Sequence, residues 1–439
     1  MIEEKVDYKN EVLILLEKYS KSKKPIQVNF KELTKGFKMQ DRATHQIHTY
    51  PAKLLPNIPY FFLNNTYFSV ENEVVLDPFC GSGTVLLEAI LANKRALGSD
   101  ANPLATLISR VKTYEYNCDE LIKKSNYLKS TIYKSDIILA GLPKVVNIDF
   151  WFLPSVKGQL NTILYYLKKI KDRKTRDFFI LCFSNCVKKV SLADQKISVP
   201  VKIKGQESNK ILFNISEKPN FVFDKFFEII EENINRFKRK SIIGQSIKES
   251  AIVSKDAKKL KKLNNDSVDL IITSPPYAGA QKYIRASSLN IYWTELSKKN
   301  SLRDLDKKNI GRENYNKSEF SKLKSTKIEK ADILLKEIFK VNPLRAHIAA
   351  NYLLEMRKAI KEALRVLKKN RYMVLIAANN QVCGLEFETQ EFLRVIAEQE
   401  GFITECRLID DIKSYGLMTK RNKTASIITC EWVLILKKI

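Results

Sequence analysis

The sequence is poor in the residues that build metal and disulfide sites. Its 439 residues include three histidines and seven cysteines. No CxxC pair occurs. Cys182 and Cys186 stand four apart, with no second pair or nearby histidine to complete a zinc set, so no metal is expected. The cysteines read instead as reduced core thiols of a cytoplasmic protein. Long hydrophobic runs are also missing. DFFILCF (177–183) and YMVLIAA (372–378) suit buried strands or helix faces but are too short to span a bilayer. The first residues carry charge throughout, which predicts an amphipathic helix rather than a signal peptide. No fixed-period repeat and no long low-complexity tract is present, which excludes a solenoid and an extended disordered region.

What the chain has in excess is positive charge. Lys and Arg number 76 against 49 Asp and Glu, a formal net charge of +27. Such a surplus favours polyanionic partners through counterion release. With 44% hydrophobic and 28% charged residues, the chain can still fill a sizeable core.

Strands and helices alternate over much of the sequence. EVVLD (73–77) is an apolar run that stops at a Gly-rich turn, DPFCGSG. TVLLEAILANK follows with helical spacing, and RALGSD is a short strand ending in Asp100. Asn102 and Pro103 then suit a helix N-cap and first helical position. Residues 114–247 break the rhythm with a Lys-rich, mostly helical pattern and an aromatic knot at Phe150, Trp151 and Phe152. The rhythm returns with SAIVSKDA (250–257) and VDLIITSPPY (268–277). A basic loop and helix stretch fills 298–345. An amphipathic helix (353–369), the strand YMVLIAA, a helix near 388–400 and a final strand pair complete the pattern. It predicts an α/β fold with a mostly parallel, doubly wound sheet and an antiparallel C-terminal hairpin.

Two turns carry the chemistry. In such sheets ligands bind beyond the C-terminal strand ends. Gly81 and Gly83 allow close backbone approach and positive φ at the first turn. Asp77 suits a cationic group, and Asp100 suits the two hydroxyls of a ribose. A tight structural turn and a helix-capping Asp would read the same way in isolation. At the second turn, Ser274 Oγ and the Pro275 carbonyl can accept the hydrogens of an aromatic amine, with Pro276 stiffening the loop and Tyr277 offering a stacking face. By itself that tetrapeptide is equally a plain strand-ending turn.

Together, DPFCGSGT (77–84) and TSPPY (273–277) resemble the S-adenosylmethionine-dependent amino-methyltransferase family of DNA enzymes, which modify cytosine N4 or adenine N6. The resemblance implies a Rossmann-like methyltransferase fold with a seven-stranded sheet. It implies a cofactor pocket made by Asp77, Pro78, Phe79, Cys80, Gly81, Ser82, Gly83 and Thr84, with Asp100 and Ala101 at the ribose and Asp256 and Ala257 near the adenine. HTYPAK (48–53) resembles the element that completes the methionine pocket, through Tyr50, Pro51 and Ala52. His45 and His48, in and beside it, suit a structural or phosphate-contacting role. Catalysis falls to Ser274, Pro275, Pro276 and Tyr277 on a base taken out of the helix. Ser at the first position is the form usual for cytosine N4 enzymes, with adenine N6 as the alternative. A guanine-amine RNA enzyme and a non-catalytic nucleic-acid-binding protein are further alternatives. Cytosine C5 chemistry is excluded because no Pro-Cys dipeptide exists.

The same resemblance divides the chain into a helix and linker (1–35), a first part of the catalytic domain (36–113), an inserted region expected to read DNA (114–247) and a second catalytic part (248–439) with a basic loop and helix insertion at 298–345, which is a rival for the reading of DNA. The gene order, with the cofactor loop ahead of the tetrapeptide, is the less common one. Lys420 and Arg421 are candidates for phosphate contacts. The implied partners are double-stranded DNA and a restriction endonuclease acting on the same site.

Overall fold

The computed structural model describes residues 6–35, 42–51, 53–205, 218–243, 250–277, 283–297, 301–411 and 430–439. Its main sheet has eight strands: β1 (Ile26–Val28), β2 (Val74–Asp77), β3 (Arg95–Ser99), β4 (Ala251–Ser254), β5 (Val268–Thr273), β6 (Leu367–Ala377), β9 (Phe402–Asp411) and β10 (Cys430–Lys438). A small separate hairpin joins β7 (Asn380–Val382) to β8 (Leu385–Phe387). The order across the main sheet is β1-β9-β10-β6-β5-β2-β3-β4. Every neighbour is parallel except β10, which runs antiparallel between β9 and β6.

From β2 the chain steps outward to β3 and β4, then returns to β5 on the other side of β2. The gap between the ends of β2 and β5 is therefore the topological switch point, where such sheets bind ligands.

The central strand explains its own burial. All six residues of β5 are buried. Val268 and Ile271 join one core with the helices Glu329–Val341, Pro343–Val366 and Thr389–Glu400. Leu270 and Ile272 join the opposite core with Lys9–Ser22, Asn57–Leu63 and Thr84–Leu91. A strand covered on both faces needs a largely apolar run. VDLIIT supplies one, broken only by Asp269, which is buried with Lys368 and the Val74 N–H as partners, and by the terminal Thr273.

A third core is helical. Helices Cys118–Tyr133, Pro154–Lys168, Arg173–Lys189 and Phe221–Ile243 pack against Pro103–Thr113 and against Ser288–Trp293, with Trp293 fully buried at the contact. Asn117 and Asp172 cap two of these helices by accepting backbone N–H groups.

Two features differ from expectation. The N-terminal segment supplies an eighth strand, β1, paired parallel to β9. Three residues are too few to show a period in sequence, and Asp410 Oδ1 anchors the turn after them by accepting the Phe30 N–H at 3.1 Å. The final hairpin also does not end the sheet, because β1 covers β9. Among the described residues, no helix is long and apolar enough to cross a membrane.

Candidate active site

The backbone of the first turn is fixed by one internal bond and by groups of the strand and helix that follow. Cys80 N–H donates to the Ser99 carbonyl at 2.9 Å, and Gly83 N–H donates to the Cys80 carbonyl at 2.7 Å. Gly81 N–H donates to Asp100 Oδ2 at 2.9 Å, and Ser109 Oγ returns a bond to the Gly81 carbonyl at 2.8 Å. Gly83 adopts φ +75°, and a Cβ there would lie 2.9–3.1 Å from Ser109 atoms. Side-chain-free backbone is required at this point. The ring of Tyr50 covers the turn, with its Cε1 3.9 Å from where a Gly81 Cβ would stand.

Two carboxyls flank this turn. Asp100 also accepts the Asn102 N–H at 2.8 Å, while burial pushes its pKa up to about 6. Asp77 accepts the Phe79 N–H at 3.1 Å and the Thr273 hydroxyl at 2.6 Å, and burial pushes it up to about 7. Desolvation disfavours the charged form unless a partner compensates it. Asp100 is half-buried and Asp77 buried.

The Thr273–Asp77 bond joins the two motifs. β2 and β5 are direct neighbours, with Leu76 opposite Ile271, so Ser274–Tyr277 emerges beside the Gly-rich turn. Pro275 is buried, while Ser274, Pro276 and Tyr277 are half-buried. Burial, then Glu431, Tyr283 and Tyr352, hold the Tyr277 hydroxyl well above its usual range. Burial, then Asp100 and Tyr283, do the same for Tyr50. Tyr283 is thus near both the cofactor-side and the tetrapeptide-side tyrosine. Asn102 closes the arrangement: its Nδ2 donates to Tyr50 Oη at 3.1 Å and to Ser287 Oγ at 3.2 Å, tying the end of β3 to the segment after the tetrapeptide.

Other expected residues take these places. Pro78 and Ser82 are buried within the turn, Thr84 starts the following helix, and Phe79, Pro51 and Ala101 are half-buried. The Cys80 thiol is buried and pushed up well above its usual range by burial. Asp256 follows β4 and bonds locally, accepting the Lys258 N–H at 3.0 Å, while Ala257 enters the core. No hydrogen bond or ion pair joins Asp256 to the Gly-rich turn among the described residues. Ala52, Lys420 and Arg421 lie outside the described residues.

The histidines are structural. His45 Nε2 lies 2.6 Å from Glu88, which also pairs with Arg42, and His48 Nε2 lies 3.1 Å from Ser184 Oγ. Burial lowers both, His48 to about 3. Neutral buried rings are unsuited to phosphate contact. Among the described residues, no cluster of His, Cys, Asp or Glu could hold a metal ion.

Sequence reasoning missed Thr273, Asn102, Tyr283 and Glu431 as members of this site. Thr273 directly precedes the tetrapeptide and carried a signal by position. Glu431 had none, because a lone acidic residue in a strand says nothing of what lies across the sheet.

A family model described as DNA methylase, covering N6 and N4 enzymes, matches residues 3–110. Over 376 residues the chain is 26% identical to the type II methyltransferase M.MvaI of Kocuria varians, covering 79% of each protein. It is 24% identical over 276 residues to M.BsoBI of Geobacillus stearothermophilus, covering 58% of this chain and 53% of that one. A shorter match, 28% over 144 residues, joins it to a tRNA (guanine(10)-N2)-dimethyltransferase of Methanocaldococcus jannaschii, covering 30% and 38%. In its α/β sheet, its Gly-rich turn and these relatives, the chain is similar to the amino-methyltransferase family of DNA enzymes that use S-adenosylmethionine.

Proposed function

We propose that this protein methylates the N4 amine of cytosine at a specific site in duplex DNA, as the modification partner of a restriction endonuclease. One observation carries the reading: the Ser274-Pro275-Pro276-Tyr277 loop leaves β5 directly beside the Gly-rich turn of β2, and Thr273 bonds Asp77 across the junction. The serine at the head of the tetrapeptide favours cytosine over adenine.

The residues fit the cofactor. Ser109 packs against Gly83, whereas at Gly81 the nearest atoms to a Cβ position, the Phe79 carbonyl and the Tyr50 ring, stand 3.9 Å away, which leaves room for close approach, and Asp100 offers carboxylate oxygen beside it. S-adenosylmethionine, when bound, supplies an electrophilic methyl group. Tyr50, Asp77 and Asp100 hold and orient it. Ser274 Oγ and the Pro275 carbonyl accept the two hydrogens of the target amine, which draws the nitrogen toward a tetrahedral, nucleophilic form. Tyr277 stacks on the everted base and excludes water. Positioning and electrostatics supply the acceleration, so no covalent intermediate is required.

The net charge of +27 suits the phosphate backbone. We assign sequence recognition to the helical region within 114–247, whose core reaches both the Pro103–Thr113 helix and the segment after the tetrapeptide. Adenine N6 is the second reading, because the matching family model spans both targets. Expression in a host without DNA methylation, followed by mass spectrometry of its nucleosides, tests the assignment. N4-methylcytosine is expected; N6-methyladenine alone would replace cytosine with adenine, and neither would overturn the reading.

A further inference from the structure

Across the sheet from the tetrapeptide stands a carboxyl that the reaction has not yet used. Thr273 pairs with Leu375 of β6, and Ala377 of β6 pairs with Trp432 of β10. Glu431 therefore lies at the same rim, where β10 begins. Strand alternation puts it on the face of Val433 and Ile435, together with its cross-strand partner Asp410. It stands near enough to Tyr277 to be, after burial, the foremost influence on that hydroxyl.

The surroundings of Tyr277 hold a second unused polar group. Tyr352, on the helix Pro343–Val366, is 1% exposed, and its hydroxyl has no hydrogen-bond partner among the described residues. It also acts on Tyr277. Buried hydroxyls are normally partnered. A fully desolvated one beside the stacking tyrosine marks a place where a polar ligand completes the pocket.

We propose that Glu431 is a specificity-determining residue of the base pocket, donating its carboxyl O–H to the ring nitrogen adjacent to the target amine. That nitrogen is N3 in cytosine and N1 in adenine, and both are acceptors. The corresponding ring positions of thymine and guanine carry N–H groups and are repelled as donors facing a donor. The inference rests on the base-eversion reading above and deepens it: the pocket selects bases with an amine beside a bare ring nitrogen, before Ser274 and Pro275 act.

The donor must be protonated to serve. Burial, then Asp410, push Glu431 up to about 7. Among the described residues, the groups facing it are Asp410 on β9, which accepts the Phe30 N–H, and Tyr277 beyond β5, whose own shift keeps it neutral. Neither supplies a positive charge that would lower it. The O–H is thus present below about pH 7 and lost above it.

The test compares the wild type, Glu431→Gln and Glu431→Ala in single-turnover transfer from methyl-labelled S-adenosylmethionine to genomic DNA of an unmethylated host, between pH 6 and 9. The wild-type rate should fall as pH rises through about 7. Glu431→Gln keeps an N–H donor at every pH, so its profile should be flat across that range. Glu431→Ala should lose about tenfold at low pH, the worth of one hydrogen bond in the reacting complex, with unchanged affinity for S-adenosylhomocysteine by calorimetry. Identical pH profiles for wild type and Gln variant, or an Ala variant as fast as wild type, would overturn the role of Glu431. Should the Ala variant fail to bind S-adenosylhomocysteine, the Gln profile alone decides. A wild-type protein that binds cofactor but labels no DNA would instead overturn the underlying base-methylation reading, and this inference with it.

Discussion

The two turns at the switch point are built in opposite ways. In the Gly-rich turn, several polar backbone groups are engaged: Cys80 with Ser99, Gly81 with Asp100 and Ser109, Gly83 with Cys80. In the tetrapeptide, no hydrogen bond holds the Ser274 hydroxyl or the Tyr277 hydroxyl among the described residues. The first turn is finished before any ligand arrives, which suits tight and repeatable cofactor binding. The second leaves its acceptors uncommitted, which suits an amine that must be gripped during reaction. Preorganisation of the cofactor and availability at the amine are thus divided between neighbouring strands.

Substitutions can break this division on either side. The largest effect is expected on the tetrapeptide side. Tyr277→Ala should lower single-turnover methyl transfer by about a hundredfold, while Tyr277→Phe keeps the stacking face and most of the rate. Neither should change affinity for S-adenosylhomocysteine, measured by calorimetry. On the cofactor side, Gly83→Ala forces a Cβ against Ser109 at φ +75°. It should weaken cofactor binding at least about tenfold and lower the melting temperature together, because the turn itself is distorted.

Asp100→Ala sharpens the comparison by removing one cofactor-side group without touching the tetrapeptide. Cofactor affinity should fall about tenfold, for loss of a charge-assisted contact, with the rate at saturating cofactor much less affected. In the wild type, Asp100 is ionised above about pH 6. Affinity should therefore weaken as pH falls through 6, and calorimetry across pH 5–8 would detect this limb and its absence in the variant.

The smallest effect is expected from Asp77→Asn. The carboxyl is raised from 3.8 to about 7 by burial, so between those values the folded state binds more protons than the unfolded one. Its contribution to stability therefore falls as pH rises through that window. Asn keeps an acceptor for Thr273 and carries no charge. At pH 7.5 the variant should melt about 1–2 °C higher, although cofactor binding weakens. A lower melting temperature would show that the carboxylate is compensated in a way the structure does not display.

Sequence legibility followed the length of each signal. β5 was readable because a mostly apolar run, four of its six residues, ends in a distinctive turn, and the helix after β3 because Asn102 and Pro103 start it by local chemistry, with Asn102 accepting the Leu104 N–H. β1 was not readable, since three residues become a strand only by pairing with β9, far away in the chain. The same distinction applies at the site. Motif residues declare themselves by spacing. Glu431 and Tyr352 come near enough to act on Tyr277 through sheet order and helix packing, which no local pattern encodes. Asp256 shows the converse: its motif-like position is plain in sequence, yet its bonds in the fold are those of a local turn.

The division between binding and chemistry is tested most directly on Ser274→Ala, by measuring S-adenosylhomocysteine affinity and single-turnover methyl transfer on the same preparation. The expected result is a dissociation constant within about twofold of wild type and a transfer rate lower by about a hundredfold or more, the scale on which loss of a transition-state hydrogen-bonding group is felt. Parallel loss of both, or a variant that transfers methyl groups at the wild-type rate, would contradict the account.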